Sequence, residues 1–286
     1  MIRLILIFNI FCLFACRQII PQTRIDFHSP ANIRLFADYL FCQKDYLRAY
    51  DEYKSFLDKV YNDTAAFKAA LSLQKTEAFE EALNQFDRIP PQSGFYSDAR
   101  IEYSRTLFLK KDFPALHNTF NKSDSSKDHY SFIKRLNTIT YLYSYDPLPP
   151  ESSFINPFPG DEKSSIKKFY EWKENPPYKD PLLAAVLSAV IPGLGKVYTE
   201  NYTDGIFAAF LTGVFGYLAY TNFNAEHYAR GWIFTGVSGF FYTGSIYGSA
   251  ASAQIYNAKI RFNFEADLRD FLNVFHYLSG DYNFCK

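Results

Sequence analysis

The sequence predicts an all-α protein: a tandem array of short helical hairpins forming a solenoid, followed by a helical membrane hairpin. Three observations carry this reading. Small and aromatic residues recur at a step of about 34 between residues 31 and 146. A proline-rich stretch then breaks any long helix. Beyond it lie apolar runs free of charge, long enough to reach across a bilayer.

The recurrence keeps a fixed register. Tyr46, Ala49 and Tyr53 are matched by Phe79, Ala82 and Phe86, then by Phe113, Leu116 and Phe120. Twelve residues before each middle position stands a small side chain: Ala37, Ala70 and Ser104. Ile33, Ala66 and Arg100 precede these, and Leu40, Leu73 and Leu107 follow them. Spacings of three and four put one apolar stripe on each of two consecutive helices. The small residue lets the second helix approach the first, and the aromatic fills the groove toward the next pair. Asn62-Asp63-Thr64 and Ser97-Asp98 offer side-chain oxygens to cap the opening helices of the second and third hairpins. Pro90 to Gly94 marks a loop between those hairpins. Pro114 requires a place in the first turn of its helix. Tyr130 to Tyr145 reads as a further helix covering the open end of the array.

This pattern resembles the tetratricopeptide repeat family over roughly the first half of the chain, although the consensus Trp and Gly are missing. The resemblance implies a concave groove lined by the first helix of each repeat. Residues then expected to face it are Arg34, Asp38, Phe41, Phe67, Gln74, Ile101, Arg105 and Phe108. Arg and aromatic side chains are the types that anchor a bound peptide.

From 147 to 180 the chain reads as a linker rich in Pro, in which Ser164 to Lys173 suits one short amphipathic helix. That helix fits either a membrane surface or a solvated spacer. Residues 181–260 read as a helical membrane module. Gly205 to Thr221 is uncharged for seventeen residues and Gly231 to Ala258 for twenty-eight, joined by a polar turn. Tyr202, Tyr217, Tyr220, Tyr228, Trp232 and Tyr256 lie near the run ends, where interfacial aromatics belong. Gly244 and Gly248 stand four apart, a spacing that lets membrane helices touch backbone to backbone, with Ser245, Ser249 and Ala253 one face along. Residues 261–286 read as an amphipathic segment.

Within the module, Ser188 to Tyr198 (Ser-Ala-Val-Ile-Pro-Gly-Leu-Gly-Lys-Val-Tyr) is similar to the two-helix transmembrane domain family. It also resembles a related uncharacterised domain of bacterial envelope proteins. These resemblances imply a membrane location and no agreed activity. The same segment is not a phosphate-binding loop, because Val190 and Val197 occupy the positions of its first Gly and its hydroxyl.

Residues 1–16 read as an export signal, with Arg3 before an apolar run from Leu4 to Phe14. Leu13-Phe14-Ala15-Cys16 resembles a lipobox, which implies lipid attachment at Cys16; Phe14 is bulkier than that pattern, and an ordinary secretory signal or an uncleaved anchor is the alternative. Cys42 and Cys285 could pair in an oxidising compartment, but they lie far apart without framework spacing, and two unpaired structural thiols are the expectation.

No catalytic or cofactor motif accompanies these features, and the five His residues show no metal-ligand spacing. Thirty basic residues balance thirty acidic ones, so no overall field favours nucleic acid. The expectation is a non-catalytic, membrane-anchored envelope scaffold that needs no cofactor or metal. Its repeats would face the periplasm at the bacterial inner membrane and bind a protein or peptide partner, with lipid around the hairpin. The alternative expectation gives the membrane module a role in lipid handling or translocation, with the repeats as regulator. Lys163, Lys167, Lys168, Lys173 and Lys179 oppose this topology, since positive charge favours the cytoplasmic side; long exported domains override that bias. The sequence sets no oligomeric state.

Overall fold

A computed structural model describes Asp26 and residues 28–285, so the export signal and Cys16 lie outside the described residues. The fold is all-α, with no strand among those residues. Successive helices pack as hairpins on their neighbours. The chain forms two compact units. One takes in the described residues up to Thr106 together with Asn283–Cys285, and the other spans Leu107–Tyr282.

In the first unit, α1 (Pro30–Cys42) pairs with α2 (Tyr46–Leu57) and α3 (Asp63–Lys75) with α4 (Phe79–Asp87), followed by α5 (Tyr96–Leu109), within which the unit boundary falls. The spacing read from the sequence is the packing. Ala37, Ala70 and Ser104 are fully buried on the first helices, as are Ala49 and Ala82 on the second. Tyr53 and Phe86 fill the grooves with no exposed surface. Asn62 caps α3, its side chain accepting from the Ala65 amide at 3.0 Å. Ser97 and Asp98 do not cap α5, because that helix already begins at Tyr96; the Ser93 hydroxyl turns the chain before it, accepting from the Phe95 amide.

Each hairpin turns in one way, and the sequence did not announce it. Lys44, Glu77 and Lys111 all adopt left-handed backbone, with φ of 62°, 61° and 63°. The amide after each bonds back to Leu40, Leu73 and Leu107 respectively, at 2.9–3.0 Å. This is the C-terminal turn that glycine ordinarily serves. The register 44, 77 and 111 repeats the steps of the buried residues.

In the second unit, α6 (Phe113–Lys122) carries Pro114 in its first turn and packs on α7 (Tyr130–Tyr143), where Phe120 stacks on Tyr130 at 5.5 Å. The stretch read as a linker holds α8 (Glu151–Ile155) and α9 (Gly160–Glu174). The aromatics of α9 are occupied inside the unit: Trp172 stacks on Phe264 at 4.0 Å and Tyr170 tilts against Phe154. Then come α10 (Pro181–Val190), α11 (Leu194–Tyr198), α12 (Tyr202–Asn224) and α13 (Tyr228–Val274).

Among the described residues, α12 is the one helix long and apolar enough to cross a membrane. The uncharged run Gly231–Ala258 lies in the first half of α13, where Gly, Ser, Thr, Tyr and Asn lower its apolarity. Helix α13 passes residue 260 without a break and reaches 47 residues. Its second half buries Phe264, Leu268, Phe271 and Leu272, with Phe264 and Phe271 both set against Phe169 of α9. Most of the apolar face expected from residues 261–286 is thereby taken up by protein.

Candidate partner groove

The hairpin turns set α1 and α3 side by side, and their facing side chains form a polar bracket. Asp38 Oδ1 accepts from the Tyr53 hydroxyl and from Lys68 Nζ, each at 2.7 Å. The Arg34 guanidinium stands 3.8 Å from the other carboxylate oxygen. Burial first, and then the Asp38 carboxylate, push the Tyr53 hydroxyl far above its ordinary value, so it stays a donor. Lys68 is almost wholly buried; its ammonium also lies over the ring of Phe41, 5.6 Å from the centroid. A buried cation held this way sits over aromatic faces without losing its counter-charge.

Beside the bracket, Phe67 stacks on Phe95 at 5.1 Å and tilts against Phe86 at 5.9 Å. Phe41 meets Tyr53 edge-on. These rings form a seat, and the chain fills it. The Phe284 ring lies 6.1 Å from Phe41 and 6.2 Å from both Phe67 and Phe95, with Lys68 Nζ 4.9 Å from its centroid. The next residue, Cys285, forms a disulfide with Cys42 at the end of α1. The expectation of two unpaired thiols is therefore corrected. Folding residues 283–285 into the first unit brings Cα atoms 243 positions apart to 5.5 Å.

Of the residues expected to line a groove, Arg34, Asp38, Phe41 and Phe67 gather here. Gln74 and Arg105 meet in a second, buried cluster through Glu102. Gln74 Nε2 donates to Glu102 Oε2 and Thr106 Oγ1, each at 2.9 Å, and Arg105 is ion-paired with Glu102. Ile101 is half-buried on α5. Phe108 belongs to the other unit, where it packs against Phe113 and Tyr143 at 5.9 and 5.7 Å. The sequence reading missed Lys68, Phe95, Glu102 and Phe284. Phe284 next to a Cys was the one available signal, and it has no meaning until a partner for that Cys is known.

In the second unit the segment Ser188–Tyr198 has a packing explanation. Ser188 Oγ accepts from the Gly195 amide at 2.9 Å and shares a hydrogen bond with Ser249 Oγ at 2.7 Å. Ser245 Oγ accepts from the Gly193 amide at 2.7 Å. Gly193 has φ +87°, and a Cβ there would lie 2.0 Å from the Gly205 carbonyl oxygen. A Cβ on Gly195 would lie 1.8 Å from that of Ala184. The serine face of α13, at Ser245, Ser249, Ser252 and Ala253, is the buried one. A Cβ on Gly244 would meet nothing within 4 Å, and one on Gly248 would meet the Lys196 stem at 3.2 Å. Among the described residues no three His, Cys, Asp or Glu side chains gather as a metal site.

Comparison with known proteins found no matching family model, no matching curated protein and no matching solved structure.

Proposed function

We propose that this chain is a non-catalytic, membrane-anchored scaffold of the bacterial envelope whose tetratricopeptide-like hairpins hold an extended peptide segment of a partner. The observation that carries the reading is the seat formed by Phe41, Phe67, Phe95 and Lys68, which already accommodates an aromatic side chain from a stretch of non-helical chain. A ring set among rings beneath a buried cation is a recognition element with a defined chemical preference.

Two further observations support the placement. The Cys42–Cys285 disulfide fits an oxidising compartment such as the periplasm. Phe207, Phe210, Ile233, Phe240 and Ile255 on α12 and α13 are all more than 60% exposed, large apolar side chains that suit a lipid environment. In this reading α12 and the first half of α13 cross the inner membrane as a hairpin of the two-helix kind, and the lipobox-like Cys16 is the place for a lipid. The repeats stand in the periplasm.

In-cell photo-crosslinking tests the groove. A photoreactive residue at Arg34, beside the seat, is expected to trap an envelope protein, and one at exposed Lys54 on α2 is not. Absence of an adduct from Arg34 in both oxidised and reduced cells sinks the scaffold reading. Topology reporters fused after Tyr145, Asn224 and Lys286 test the placement; a cytoplasmic signal from the first overturns it.

A further inference from the structure

Deepening the groove reading, and resting on it, we infer that the Phe41–Phe67–Phe95 seat is a thiol-gated peptide site. Its ligand class is an extended segment presenting one aromatic side chain, and its resident occupant is the chain's own Asn283–Cys285. The occupant shows what the site takes. Phe284 supplies a ring to three rings and to the Lys68 ammonium, while Asn283 and Cys285 on either side are exposed. Nothing of helix or strand holds the stretch from Ser279 to Cys285. The noncovalent hold includes the half-buried Phe284 ring and stands in balance against the ordering of several residues. The disulfide to Cys42 tips that balance by making the seat's ligand intramolecular.

The gate follows from exposure. Cys285 is exposed and Cys42 half-buried, so a thiolate can reach the bond. A dithiol reductant attacks one sulfur, gives a mixed disulfide, and closes on itself to release the other. It is oxidised to its own disulfide, and Cys42 and Cys285 take up two electrons and two protons as thiols. Phe284 is then free to exchange with the aromatic side chain of a partner peptide. The seat itself stays built, because Asp38, Tyr53 and Lys68 hold one another without the segment.

The test uses the full chain in detergent micelles and a fluorescein-labelled hexapeptide with the order of residues 279–284, Ser-Gly-Asp-Tyr-Asn-Phe. A second peptide has Ala in place of the Phe. Fluorescence anisotropy compares four proteins: oxidised wild type, wild type reduced with dithiothreitol, Cys285→Ser, and Phe284→Ala/Cys285→Ser. The Phe peptide is expected to bind the double variant at least about ten-fold more tightly than the oxidised protein, because a tethered competitor acts at an effective concentration on the order of millimolar. Reduced wild type and Cys285→Ser fall between, and the Ala peptide binds none.

Equal binding to the oxidised protein and the double variant overturns the gate. No binding to the double variant, or to reduced wild type should that variant unfold, overturns the site. If oxidised cells nevertheless give an envelope crosslink at Arg34, the scaffold reading survives and the thiol gate alone falls.

Discussion

Replacing Arg105 by Met isolates the ion pair buried between α3 and α5. Glu102 and Arg105 stand one turn apart on α5 with side chains 0% and 3% exposed. Both charges have left water, and their mutual attraction and the Gln74 amide help to offset a desolvation cost of several kcal/mol per ion. Met keeps most of the stem volume and removes the guanidinium. The Glu102 carboxylate then loses the Arg105 guanidinium while staying buried beside Gln74, which costs about 3–5 kcal/mol. Replacing the carboxylate as well, as Glu102→Gln/Arg105→Met, leaves a neutral acceptor for Gln74 Nε2. The double variant should therefore recover most of that loss and sit within about 1–2 kcal/mol of wild type. Both tryptophans, Trp172 and Trp232, lie in the other unit, so tryptophan fluorescence does not report this site directly. Hydrogen exchange of the α3 and α5 amides reads it locally. A loss below about 1 kcal/mol in Arg105→Met, or a double variant no better than the single, refutes the reasoning.

Four other substitutions each test a single feature. Ala78 opens α4 with the same backbone as Asp45 and Asp112, which cap α2 and α6 through their carboxylates, yet it has no side-chain cap; Ala78→Asp should add about 1 kcal/mol, seen as slower exchange in α4. Gly195→Ala should destabilise the second unit by about 1–3 kcal/mol or more in a detergent melt. Gly244→Ala, facing open space, should be neutral or favourable, and a change of oligomeric state on that substitution would mark the face as a seam between chains. Burial holds the Asp98 carboxyl above its ordinary 3.8, with Arg105 pulling the other way. The folded state thus keeps this proton longer than the unfolded state, and stability falls as pH rises from 3.8 through the raised value. Asp98→Asn should gain on wild type across that window, and a difference that is flat with pH would refute it.

Much of the repeat architecture was legible because burial leaves a periodic trace. Ala37, Ala70 and Ser104 are small for the reason read from their spacing: a neighbouring helix lies against each. The hairpin turns were not legible. Lys44, Glu77 and Lys111 occupy a left-handed position where glycine avoids the roughly 1–2 kcal/mol penalty, so composition hid what geometry repeats. Helix α13 was read as ending near residue 260 because charge begins at Lys259; charge ends an apolar run, yet helical backbone bonding continues through it. At the candidate site, the α1 and α3 residues were readable from helix periodicity. Phe95 lies in a turn outside any period, and Phe284 depends on a pairing across 243 positions that no local rule specifies.

That pairing also gives the molecule the topology of a closed ring. Every peptide bond from Cys42 to Cys285 lies inside one covalent circuit, so a single protease cut anywhere along it yields two fragments that still migrate together until a reductant is added. Synthesis runs the circuit in one direction: Cys42 emerges early and waits while the whole of the second unit is made. The bond therefore forms late, and chains stalled within the second unit never acquire it.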